Sequence, residues 1–180
     1  MAKIKVEDFA NKISDYKFLE SVLEVYADKL IGFINNIIFD IHFAEDIMMD
    51  VFVDVIVKKP VFENEGMLKA YLYKCAKNKA LNYIKKNKRL VLLNEHVLQD
   101  TAELSEKLYQ TQTNRILLEA INKLKVEYRQ VLYLSFFEDM TAQEICEVLE
   151  IDDKKLRNIK HRAKLKLNKV LREKNFEIEV

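Results

Sequence analysis

The chain has 180 residues, enough for one large domain or two small ones, each burying a modest core. Two Gly and one Pro exclude a turn-rich β protein, and abundant Leu, Lys, Glu and Ile point to an all-α fold. The net charge of +1 conceals acidic and basic side chains sorted into blocks, so location matters more than the total.

The N-terminus mixes Lys3, Lys5, Glu7 and Asp8 with no apolar core of signal-peptide type, and no membrane-length apolar run follows. From Phe18 to Phe39 the residues Leu19, Val22, Leu23, Tyr26, Leu30, Phe33, Ile34 and Ile37 recur at three- and four-residue steps. This spacing predicts one long amphipathic helix. A second helix begins near Ala44, buries Ile47, Met48, Val51, Phe52 and Val55, and ends before Pro60, which disfavours helical geometry in Lys59. Its opposite face presents Asp46, Met49, Asp50, Val53, Asp54 and Val57. Apolar side chains bordered by carboxylates there suit a protein partner with a basic, partly apolar surface and would repel DNA.

Lys59 to Gly66 reads as a loop, and a third helix runs from about Met67 to Lys88. Between Lys69 and Arg89 there are eight basic residues and no acidic ones, interleaved with Tyr71, Tyr73 and Tyr83. Cations with exposed rings suit single-stranded nucleic acid, because rings stack on unpaired bases while Lys tracks the backbone. By helical phase Tyr71 and Tyr83 fit a core equally well, whereas Tyr73 faces elsewhere and is the better stacker. Lys79 shares the face of Leu72 and Cys75, an awkward place for a charge unless its stem lies along apolar surface.

Leu90 to Thr113 loses periodicity and carries Glu95, Asp100, Glu103 and Glu106 against Lys107, which reads as an interdomain linker. Helical spacing resumes at Ile116, Leu117, Ala120, Ile121 and Leu124, then at Val131, Leu132 and Phe136. Thr141 followed by Glu144 is a capping box that starts a short helix burying Ile145, Val148 and Leu149. After a break at Glu150 and Ile151, Asp152 is suited to cap a second helix, in which Leu156, Ile159, Ala163 and Leu167 share one side. Helix, turn and helix result. Lys154, Lys155, Arg157, Asn158, His161 and Arg162 occupy the outer side, and Lys154 to Lys174 holds ten Lys or Arg against Glu173. That density invites phosphate contacts through counterion release, and its long side chains can reach base edges in a major groove.

Cys75 and Cys146 lie far apart, and His42, His96 and His161 are equally scattered, so neither a disulfide framework nor a metal site is expected. A reducing, cytoplasmic setting fits. No Gly-rich phosphate loop, triad signature or ligand cluster occurs, so neither an enzyme nor a cofactor is expected.

Two parts of the chain carry a family resemblance. Phe43 to Phe52 (FAEDIMMDVF) and Lys69 to Lys86 (KAYLYKCAKNKALNYIKK) resemble region two of bacterial RNA polymerase sigma factors, most closely the extracytoplasmic-function class. Leu124 to Leu132 (LKVEYRQVL), Asp139 to Leu149 (DMTAQEICEVL) and His161 to Ala163 (HRA) resemble region four. Against the family pattern, Met49 stands where Gln is usual, Asn82 where Asp is frequent, Tyr71 where Trp is usual, and Asp139 and Glu150 at common Gly positions.

The resemblance implies region two over 1–90, a linker over 91–113 and region four over 114–180. Region two would bind core RNA polymerase through Asp46, Met49, Asp50 and Val53. It would open the minus-ten promoter element through Tyr73, Lys74, Lys77, Asn78, Asn82, Tyr83, Lys85 and Lys86, with the Lys59 to Gly66 loop receiving a flipped base. Region four would read the minus-thirty-five element through Lys154, Lys155, Arg157, Asn158, His161 and Arg162. The linker would thread toward the polymerase active-site channel, and an anti-sigma factor is a further candidate partner. Beside this stands a polymerase-independent regulator that dimerises through its N-terminal helices and reads paired half-sites.

Overall fold

The computed structural model describes residues 16–87 and 112–173. The described residues form seven helices and no strand: α1 (Tyr16–Ile38), α2 (Ile41–Lys58), α3 (Glu65–Lys86), α4 (Gln112–Asn122), α5 (Val126–Phe136), α6 (Ala142–Leu149) and α7 (Asp153–Glu173). The protein is all-α and divides into two compact units, Met1–His96 and Val97–Val180. Of the expected linker, only residues 112 and 113 are among those described, and both lie in the first turn of α4.

In the first unit α1, α2 and α3 each pack on the other two. The C-terminal half of α1 is therefore enclosed all round: Leu30, Phe33, Ile34, Ile37 and Ile38 are fully buried, and Asn35 and Asn36 are buried with them. Leu23, expected on the core stripe, lies on the outer side. Phe39 ends α1 in the left-handed region at φ 55°, and its N–H donates to the Asn35 carbonyl at 2.9 Å. Asp40 then caps α2, its carboxylate accepting from the Phe43 N–H, so α2 starts three residues earlier than the apolar pattern implies.

At the other end of α2, Lys59 turns left-handed at φ 46° and ψ 53°, which brings Pro60 in after the helix has closed. Asn64 caps α3 by accepting from the Met67 N–H at 2.9 Å. The loop is thus 59–64, shorter than expected, and Gly66 lies within the first turn of α3. The Tyr26 hydroxyl donates to Glu65 at 2.9 Å, tying α1 to the start of α3.

In the second unit α4, α5 and α7 enclose Ala120, Ile121, Leu124, Leu132, Ala163, Leu167 and Leu171. Arg129 is buried in α5 and donates to the Leu124 carbonyl at 3.1 Å, which holds the α4–α5 turn. Asp139 turns left-handed at φ 48° between α5 and α6. Helix α6 packs on both α5 and α7 through Ile145 and Val148.

Candidate functional site

The helix-turn-helix is built from two caps and one left-handed residue. Thr141 accepts from the Glu144 N–H, while the Glu144 carboxylate accepts from the Thr141 N–H at 2.7 Å, closing the capping box at the start of α6. Glu150 ends α6 at φ 57° and ψ 46°, and its N–H donates to the Cys146 carbonyl. The turn keeps a left-handed residue here without the glycine that geometry favours. Asp152 then accepts from the Lys155 N–H at 2.7 Å and starts α7.

Leu156, Ile159, Ala163 and Leu167 are buried along α7, and this burial fixes which side faces out. Lys154, Lys155, Arg157, Asn158, His161 and Arg162 are all exposed. Charge is graded along α7: Asp152 and Asp153 stand at its beginning, and Lys or Arg residues dominate beyond them, in the sense that complements the helix dipole. Asp153 also ion-pairs with Arg157, one turn on, and both side chains are exposed. An Asp four residues before an Arg on one helix is the sequence signal for this pair.

In the first unit α2 and α3 present two different surfaces. On α2, Asp46, Met49, Asp50, Val53 and Val57 follow one another at helical steps, with Met49 54% exposed, Val53 51% and Val57 73%. Phe43 and Ile56 add exposed apolar area. Phe43 precedes the apolar stripe that marks α2 in the sequence, so its exposure does not follow from that stripe.

On α3 the described residues Lys74, Asn78, Asn82 and Lys85 run along one side, with Lys86 beside them. Asn78, Asn82, Lys85 and Lys86 are exposed, and Lys74 is half-buried. Two expectations fail here. Tyr73, expected to stack on unpaired bases, is fully buried, its ring 5.2 Å from that of Phe33. Lys77, expected to contact DNA, is 5% exposed. Because α3 packs on α1 and α2 together, its buried arc is wider than one stripe and takes in both. Tyr83 is half-buried, and its ring stacks obliquely on Phe43 at 4.7 Å.

The seam between these surfaces explains Lys79. Its ammonium lies 3.2 Å from Asp54 and 3.8 Å from Asp50, and Asp54 also pairs with Lys58 at 3.2 Å. Burial pushes the Asp54 carboxyl up, but the hydrogen bonds and charges of Lys58 and Lys79 outweigh it and hold the group below the usual carboxylate range. Burial, aided by Cys75, raises the neighbouring Tyr71 hydroxyl to about 12, and burial likewise raises the Cys75 thiol. Both cysteines are free thiols. Among the described residues no group of His, Cys, Asp or Glu is placed to hold a metal, and no helix is long and apolar enough to cross a membrane.

A family model of Sigma-70 region 2 matches residues 22–90, and one of Sigma-70, region 4 matches residues 114–167. Both regions occur in order and together take in well over half of the chain. Similar proteins include the ECF RNA polymerase sigma factor SigM of Bacillus subtilis, 18% identical over 151 residues, which span 83% of this chain and 92% of that one. The ECF RNA polymerase sigma factor SigW of the same organism is 26% identical over 179 residues, spanning 90% of this chain and 93% of its own. Bacteriocin UviA of Clostridium perfringens is 29% identical over 167 residues, spanning 85% of this chain and 90% of its own.

The chain belongs to the extracytoplasmic-function sigma factors. It is an alternative sigma factor, acting in promoter-specific initiation of transcription. Within this family the region-two match covers α2 and α3, and the region-four match takes in α5, α6 and α7 as far as Leu167.

Proposed function

We propose that this sigma factor attaches to core RNA polymerase through the outer face of α2, opens the minus-ten element with α3 and reads the minus-thirty-five element with α7. The observation that carries the reading is the sorting of surface chemistry onto separate helices. An acidic, apolar face on α2 suits a basic protein surface, and the cationic faces of α3 and α7 suit phosphate. Asp46, Met49, Asp50 and Val53 form the polymerase contact. Lys74, Asn78, Asn82, Tyr83, Lys85 and Lys86 act on the melted strand, without the buried Tyr73 and Lys77. Lys154, Lys155, Arg157, Asn158, His161 and Arg162 meet the duplex.

Residues 1–90 act as the polymerase-binding and melting domain, 114–180 as the duplex reader, and 91–113 as the connection. No step in this scheme makes or breaks a covalent bond in the sigma factor, so the protein works as a binding factor beside the cytoplasmic polymerase and not as an enzyme. The test is in vitro transcription from a genomic promoter library with purified core polymerase. Addition of the chain yields transcripts from a defined promoter subset. Absence of any chain-dependent transcript, or specific dimeric binding to paired half-sites without polymerase, overturns the reading.

A further inference from the structure

We infer that Asp153 is a specificity-determining residue, which holds the Arg157 guanidinium for reading a guanine in the minus-thirty-five duplex. This rests on the proposed role of α7 as the duplex reader. Two acidic residues open α7, and they have different work. Asp152 is consumed by capping, its carboxylate accepting from the Lys155 N–H at 2.7 Å. Asp153 caps nothing in that bond. Its carboxylate is directed along the helix surface to Arg157, one turn on, and both side chains remain largely exposed at 57% and 70%.

An exposed pair of this kind adds little to stability. Its effect is on the arginine. A free Arg side chain samples many rotamers, and ordering it for one contact costs conformational entropy. The pair with Asp153 favours one Arg157 orientation among these, and a planar guanidinium with five N–H donors can give one edge to Asp153 and keep others for a second acceptor. In the major groove the acceptor pair that matches two parallel N–H groups is O6 and N7 of guanine.

The neighbouring carboxylate sharpens the choice. A carboxylate close to base edges is repelled by lone acceptors and is tolerated where the arginine stands between it and the base. Losing Asp153 frees Arg157 to swing toward phosphate, a contact that carries no sequence information. The predicted signature is therefore a loss of discrimination without loss of affinity.

The experiment uses the full chain assembled with core polymerase and a promoter library randomised across the minus-thirty-five element. The parent chain selects guanine at one position, by about tenfold over other bases. Asp153→Ala and Asp153→Asn flatten the preference at that position alone, while total binding stays equal or tightens because a negative charge has been removed. Arg157→Lys, which keeps the charge and loses the fork, flattens the same position. If the Asp153 variants keep the parent's base profile and bind every sequence more tightly by one common factor, Asp153 contributes charge only and the inference is overturned. The same holds if Asp153 and Arg157 variants alter different positions, or if the parent shows no guanine preference. A parent holoenzyme that selects no sequence in this element at all refutes the role of α7 itself, which is a separate and recognisable failure.

Discussion

Glu150 occupies the left-handed region at φ 57°, a conformation that places a Cβ too near the next carbonyl oxygen. Replacing it with Gly removes a penalty of roughly 1–2 kcal/mol, partly offset by the freer unfolded chain, so Glu150→Gly is expected to stabilise by about 0.5–1 kcal/mol. Chemical denaturation of the two chains measures this, and an unchanged midpoint would show that the side chain of Glu150 compensates the strain. Asp54 gives a second prediction at this scale. Its folded pKa is depressed, chiefly by Lys58 and Lys79 acting against burial, so its stabilising contribution is present above the unfolded carboxylate value and is lost as pH falls through the folded one. Asp54→Asn should therefore be less stable than the parent at neutral pH and lose less stability on acidification below about pH 4. Urea melts at both pH values decide it, and parallel losses in the two chains would refute the assignment. Lys79 was legible only as a misfit from sequence, because helical phase shows the face on which a residue lies but not the charges on the neighbouring helix that receive it.

Among the helices, legibility followed amphipathicity. Helix α7 has one core side, and Leu156, Ile159, Ala163 and Leu167 could be read from spacing, which in turn exposed the cationic residues opposite. Helix α3 has neighbours on two sides, so Leu68, Ala70, Leu72, Tyr73, Ala76, Lys77 and Ala80 are all buried and no single stripe predicts them. Tyr73 differs in phase from Leu72 and yet both meet the core, which is why helical phase alone places Tyr73 on the outside. Helix starts were read well where a cap supplied a local signal. Thr141 and Glu144 specify their own bonds, whereas Asp40 lies before a stretch whose apolar pattern begins later. Thr141→Ala should destabilise the second unit by about 1 kcal/mol. Differential scanning calorimetry would register this as a lower transition temperature for that unit, and no change would mean that water replaces the cap at no cost.

For the whole molecule, fold class and family could be read from sequence because both regions carry their own periodicity and motif residues, in order. The individual contacts could not, since burial at Tyr73 and Lys77 depends on packing among three helices. If α2 is the polymerase contact, Asp46→Lys together with Asp50→Lys should weaken polymerase binding at least tenfold while duplex binding by the second unit is retained. Titration of labelled core polymerase measures the first, and unaltered affinity would remove α2 from the interface. The graded charge of α7 has a further consequence for how the second unit meets DNA. With carboxylates at Glu150, Asp152 and Asp153 and cations beyond, the unit carries an electric moment along that helix. A phosphate field would turn the cationic tail inward first and hold the acidic head back. Under the proposed role of α7, encounter is thus oriented before any base is read, and the acidic end of the helix is the last part to arrive.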